Sequence, residues 1–482
     1  MKKQFLASAL VALVFLASCS KSTMDDSPVD PVNPGGTAGV VEITGDITAA
    51  TKWTADKIYL LKNNVFVTNN SVLTIEPGTI IKGDKGTKGA LVITRGSKIE
   101  AVGTVDKPIV FTSNIAAGAR GPGDWGGLIL LGKAKNNLGT SVPIEGISDA
   151  TEKGKHGGTE DADNSGTLKY VRVEYAGIPL GPDNEINGIT FGSVGSGTTI
   201  DYVEVYRSGD DAFEWFGGSV NAKHLLAVGT WDDDFDTDNG FSGKIQFAVA
   251  QRLATVADVS GSNAFESDNM SSGENSLPQT SSVFANVTVV GPVEKLGTSG
   301  INANYQHAVQ IRRNSAISIF NSVFVGYTEG VFYDDERPAG KAENSSSNYI
   351  SGKSVFANNI VGGSNGKSNQ IKATNAGTLA LISAGLNLNN SFSPDVYASN
   401  LMKDAYKYSP DLVVAAKQGT PNFTLVDASA AKTGALFTHA KVADAFFEKV
   451  AYKGAFDTVD WTAGWASYNP QVLPYTTPGA VK

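Results

Sequence analysis

From about Val40 onward the apolar residues come in short runs rich in Val, Ile, Thr and Phe, each closed by Gly, Asn or Pro. The stretch IYLLKNNVFVTNNSVLTIEPGTIIKG is followed by GALVITRGSKIEAVGTVDKPIVFTS and then by DWGGLILLGKA, a few β-type runs in each at roughly 20–25 residues per unit. No segment of helical period interrupts them. Strands this short, returning at a near-constant interval, predict parallel coils stacked about 4.8 Å apart, each burying its apolar residues against the next. A β-sandwich array is the competing arrangement. Val442 to Val450 (VADAFFEKV) has amphipathic helix character, and the aromatic ending AYKGAFDTVDWTAGWASYNPQ is expected to fold back as a cap on the end of the stack.

The phrases LTIEPGTIIKG and PIVFTS resemble those of right-handed parallel β-helix proteins, and the C-terminal segment is similar to the ending of Bacteroidota β-helix lipoproteins. The resemblance implies an all-β chain. It places a right-handed parallel β-helix (a solenoid) over residues 40–400 and a small C-terminal α/irregular cap over 401–482.

The first residues read differently. Lys2 and Lys3 precede an apolar run from Phe5 to Leu16, too short for an ordinary membrane span, which ends in Leu16-Ala17-Ser18-Cys19. This resembles the lipobox of bacterial lipoproteins, which implies a signal peptide over residues 1–18 and lipid on Cys19 as the mature N-terminus. Residues 19–39 (CSKSTMDDSPVDPVNPGGTAG) are polar, with three prolines, and read as a flexible tether. Asp25-Asp26 resembles the acidic export signal of Bacteroidota surface lipoproteins, implying an outer-membrane anchor with the domain facing outward and, as one partner class, a TonB-dependent transporter.

The candidate chemistry lies between Gly188 and Glu336. Aligning inward Phe and Val residues places Ile189-Thr190-Phe191, Phe213-Glu214-Trp215-Phe216, Phe235-Asp236-Thr237-Asp238, Phe265-Glu266-Ser267-Asp268, Val309-Gln310-Ile311-Arg312 and Val331-Phe332-Tyr333-Asp334 on successive coils. Because strand side chains alternate, one outward row reads Glu214, Asp236, Glu266, Gln310, and its neighbour reads Phe216, Asp238, Asp268, Arg312, Asp334. The turns before these strands add Asp210, Asp211, Asp232, Asp233, Asp234, Asn263 and His307. Stacked carboxylates repel one another unless a cation sits among them. Glu214, Asp236, Asp238, Glu266 and Asp268 are therefore expected to ligate a metal, and Ca2+ suits such an all-oxygen, flexible set. The competing reading is that these acids are solvated turn residues.

Arg312 and Arg313, with His307 just before them, close the ladder. Guanidinium beside a metal suits an anionic sugar, for which Trp215, Trp231 and Tyr333 would offer ring faces. This face is similar to that of the parallel β-helix polysaccharide lyases, which implies Arg312 as the base, although none of their diagnostic motifs is present. A hydrolase would recruit Asp211, Asp233 and Asp236, but its Gly-His-Gly element is missing.

Composition narrows the choice. Fifty-three glycines against 4 methionines fit many tight turns and few long helices. The single cysteine excludes an intramolecular disulfide and a cysteine-rich zinc site. A net charge of −9, which becomes −11 once Lys2 and Lys3 are cleaved away, gives no footprint for nucleic acid. The expectation is a surface lipoprotein binding an extracellular, anionic polysaccharide through calcium, with a lyase-like enzyme and a transporter subunit as alternatives.

Overall fold

The apolar runs close on one another as two parallel sheets. The computed structural model describes residues 39–147, 152–181, 184–337, 343–367, 370–407 and 419–482. Cys19, the leader and nearly all of the tether lie outside the described residues, and Gly39–Lys482 forms one unit. Among the described residues there is a 17-stranded sheet and a 10-stranded sheet, with every ladder inside them parallel and small antiparallel pairs beside them. The architecture is a parallel β-helix.

In the ten-stranded sheet the strands follow chain order, from Asn64–Val67 to Ile371–Ala373. Their register stacks like on like. Val65, Leu91, Leu128, Ile189, Phe213, Phe235, Phe265, Val309, Val331 and Ile371 form one continuous inward row. Phe213 and Phe235 stack with ring centroids 5.8 Å apart, so each coil buries its apolar residue against the next. Two inward hydroxyls break the row beside this one, and they satisfy each other: Thr237 Oγ1 lies 2.7 Å from Ser267 Oγ.

In the larger sheet the strands of the middle coils bend at a single residue in the left-handed region. Tyr170, Tyr202, His224 and Phe247 hold φ of +50°, +55°, +52° and +61°. Such values are unfavourable for bulky residues, and stacking offsets the cost: the rings follow one another at 4.5, 4.2 and 5.3 Å. Gly166 serves where no side chain fits, because a Cβ there would stand 1.9 Å from the Ile99 carbonyl oxygen.

The C-terminal part departs from expectation in two ways. The last coil is covered by helices from inside the 40–400 range: Ile382 and Leu386 of the Ala376–Asn389 helix, with Tyr349 of Ser345–Ile350, join the main core beside Tyr333 and Phe356. Residues 435–482 instead form a strap that runs back along the outside of the larger sheet. Leu436 N donates to Asn321 Oδ1 at 2.9 Å, Ala455 N to Thr288 Oγ1 at 2.8 Å, and Ser467 N to Glu204 Oε2 at 2.9 Å. At its end Tyr475 and Val481 pack on Ile58, Ile80 and Val110 of early coils. The helix expected over Val442–Val450 shortens to Ala440–Ala443. Phe447 drops into a cluster with Ala285 and Phe320, and Glu448 N donates to Gln246 Oε1 at 2.8 Å. Those contacts draw the backbone out of helical geometry.

Candidate functional site

The outward row of the ten-stranded sheet changes character along the axis. In register it reads Phe66, Val92, Ile129, Thr190, Glu214, Asp236, Glu266, Gln310, Phe332, Lys372. The first three are roofed by Ile144, Ile147, Ile178 and Ile186 from overlying loops. The acidic middle follows, and a cationic end after it.

A second ladder runs through the turns that enter these strands. Asp211 Oδ1 accepts from Asp233 N at 2.8 Å, Asp233 accepts from Asn263 N, and Asn263 Oδ1 accepts from His307 N at 3.0 Å. Each side chain thus holds the next coil's backbone. One oxygen of Asp211 is used in this way, and its carboxylate still meets those of Glu214 and Asp236, with one oxygen of each lying within 4.8 Å of the others. Asp210, Asp211 and Asp232 converge to the same limit. Asp236 Oδ1 and Asp232 Oδ1 are buried without a hydrogen-bond partner.

Electrostatics match this crowding. Burial, then repulsion from Asp238, pushes Asp236 up to about 8. Burial, then Asp236, takes Asp233 to about 7. Burial also raises Asp211 and Glu214 well above the carboxylate range, with Asp210 and Asp236 respectively the leading repulsive neighbours. Asn187 Nδ2 donates to Glu214 Oε2, which is too little to neutralise it. Asp234 turns away to a buried ion pair with Arg252 at 3.1 Å and takes no part.

The ladder expected from the sequence is split. Glu266 and Asp268 are occupied by Arg312, whose Nη2 meets Glu266 and whose Nε meets Asp268 Oδ1 at 2.9 Å, and Arg313 Nη1 also pairs with Asp268. Asp238 Oδ1 accepts from Asn239 N at 2.5 Å. The structure therefore gathers Glu214 and Asp236 with Asp211, while Glu266 and Asp268 are already charge-balanced. Burial, then Arg313, holds the Arg312 guanidinium below its usual value.

Trp215 and Tyr333 are corrections. Trp215 is 1% exposed and Tyr333 0%, both in the main core, because each lies two residues from an inward Phe or Val and shares its side of the strand. Neither offers a ring to a ligand. Trp231 is 39% exposed on the turn before Asp232, with Nε1 donating to Asp258 Oδ1 at 3.1 Å. His307 Nε2 lies 2.8 Å from Glu329 Oε2.

Lys372 was not foreseen. Its Nζ lies 2.8 Å from Glu329 Oε2, 3.4 Å from His307 Nε2 and 4.8 Å from the centre of the Phe332 ring. Extending the coil alignment by one more unit, to Ile371-Lys372-Ala373, would have found it.

A family model described as "Pectate-lyase like beta helix domain" matches residues 45–393. No curated protein and no solved structure matches the chain.

Proposed function

The chain belongs to the pectate-lyase-like β-helix family, and from that premise we propose that it binds an anionic glycan on the outward face of the ten-stranded sheet, with a calcium ion in the acidic part of the groove. The observation that carries the proposal is the convergence of Asp211, Glu214 and Asp236. Their donor set is all oxygen, and a buried oxygen of Asp236 has no partner, which fits a hard, flexibly coordinated cation. Asp211, Glu214 and Asp236 would hold it. When bound, the ion would offset their repulsion and supply positive charge to a sugar carboxylate.

The protein's own residues supply the rest. Arg312 and Arg313, on the coil after Glu266, keep N–H groups beyond those bound to Glu266 and Asp268, and these could reach a sugar carboxylate. Lys372 extends the cationic end, His307 places a ring nitrogen beside it, and exposed Trp231 gives a ring at the rim. A lyase is the second reading. Arg312 favours it by position, since its guanidinium is held at the groove by Glu266 and Asp268 beside the acidic coils. The Lys2–Cys19 leader supports a lipid anchor on Cys19, and Asp25-Asp26 an outward-facing position at the outer membrane. No described helix is long and apolar enough to cross a membrane.

Thermal unfolding in excess chelator and then in millimolar calcium, on wild type beside Glu214→Gln/Asp236→Asn, tests the metal. The wild type is expected to melt several degrees higher with calcium. The variant is expected to melt higher than wild type in chelator, because repulsion is lifted, and to ignore calcium. A wild type indifferent to calcium overturns the site. Calcium-dependent retention on polygalacturonate or alginate then tests the ligand. Formation of unsaturated product that Arg312→Ala abolishes, with retention intact, would establish the lyase reading.

A further inference from the structure

Away from the groove, a cavity of about 280 Å³ lies where the strap crosses the left-handed corner of the larger sheet, lined in part by His224, Phe247, Glu448, Tyr452, Asp457 and Trp461. Four of these are rings. Phe247 lies 5.3 Å from His224 and 6.4 Å from Tyr452, and Trp461 stands edge-on to His224 at 5.1 Å. Both faces of His224 are covered, by Tyr202 at 4.2 Å and by Phe247. Its Nδ1 lies 2.8 Å from Asp201 Oδ1. With Asp201 as acceptor the proton is assigned to Nδ1, which leaves Nε2 as an acceptor.

Two carboxylates complete the lining. Glu448 pairs with Lys223 at 2.7 Å. The Asp457 side chain has no charged or hydrogen-bonded partner among the described residues. The field of both reaches the cavity, since Tyr452 is pushed up to about 12 by burial and then by Glu448 and Asp457.

We infer that this cavity binds an alkylammonium cation, held at the Tyr452 and Trp461 rings and countered by Asp457, since His224 and Phe247 are already stacked on both sides. Aromatic faces attract a cation within about 6 Å of their centres, Trp most strongly. A neutral apolar ligand would strip water from Asp457 without replacing it, and an anion would meet two like charges. A volume just below the usual range for small-molecule pockets suits one small head group and not a polymer. The Nε2 of His224 adds an acceptor for an ammonium N–H.

The test is calorimetric titration of the full chain with choline and with butylammonium, against 3,3-dimethylbutanol, the uncharged counterpart of choline, at fixed ionic strength. Saturable binding of at least one cation and none of the alcohol is expected. Asp457→Asn is expected to weaken the cation about tenfold at an unchanged melting temperature, and Lys223→Ala, which frees Glu448, to tighten it several-fold. Failure of both cations to saturate overturns the proposal. So does equal binding of the alcohol, or an affinity that Asp457→Asn leaves unchanged.

Discussion

His156 is buried with Nδ1 2.9 Å from Ser193 Oγ, and burial, ahead of the nearby Arg95, brings it down to about 3. An unfolded chain takes up that proton below about pH 6.5, while the folded chain refuses it until about 3. The contribution to stability is therefore complete above pH 6.5 and is lost as pH falls toward 3. Melting temperatures recorded from pH 7 down to 4 should drop more steeply for wild type than for His156→Asn, whose amide can stand where Nδ1 stood. Parallel slopes would remove His156 from the acid response. The groove residues show what the sequence exposes at this scale. Glu214, Asp236 and Glu266 were placed in one row by spacing alone, and they pair in register. Trp215 is hard to place from sequence because all four residues of Phe213-Glu214-Trp215-Phe216 are buried: its size suits a ligand contact, while its parity with Phe213 puts it inward. The exact metal set was not legible, since Arg312 and Arg313 choose between the carboxylates through contacts made across a coil.

Among the elements, the strand Gly166–Glu174 depends on the strap. Arg172 and Glu174 are both buried, with Arg172 Nε 3.3 Å from Glu174 Oε1. Arg172 Nη2 donates to Tyr475 Oη at 2.9 Å and to the Val481 carbonyl at 2.6 Å. Burial, partly opposed by Arg172, pushes Glu204 on the next coil up to about 8. Arg172→Met removes the nearest cation from two buried acids, leaving Glu174 only the more distant influence of Arg120, and should cost about 3–5 kcal/mol, as breaking a buried pair does. The loss should be pH-dependent in a defined direction. A raised acid contributes stability below its unfolded value near 4.5 and loses it as pH rises through about 8. Urea midpoints should therefore show the larger deficit near about pH 8.5 and a smaller one near about pH 5, where Glu204 is protonated in the fold. An equal deficit at both would mean that packing, not charge, is what Arg172 supplies. The strands themselves were visible from the sequence because the 22-residue step from Phe213 to Phe235 brings like residues together. The strap was not, since residues 435–482 carry little period of their own and are shaped by what they lie on.

For the whole molecule the strap changes how the coils share stability. In a solenoid each coil touches only its neighbours, so unfolding can begin at an end and spread. Here one segment bonds Asn321 on a late coil, Glu204 in the middle and Arg172 further back, and its end packs on Ile58. A coil at either end cannot leave without breaking contacts that also hold the others, which should make unfolding a single event over most of the chain. A chain ending at residue 434 removes those ties and keeps both sheets and the Ala376–Asn389 helix with its Ile382 and Leu386. Scanning calorimetry should then show one transition for the full chain, with calorimetric and van't Hoff enthalpies in agreement. The shortened chain should show a broad transition whose calorimetric enthalpy exceeds the van't Hoff value. Hydrogen exchange should separate its early coils, which lose Tyr475 and Val481, from the late coils that the helix still covers. Should the shortened chain melt in one sharp step, the parallel ladders alone couple the coils, and the strap serves only to cover the apolar outer face at Tyr175, Tyr206, Leu226 and Val290.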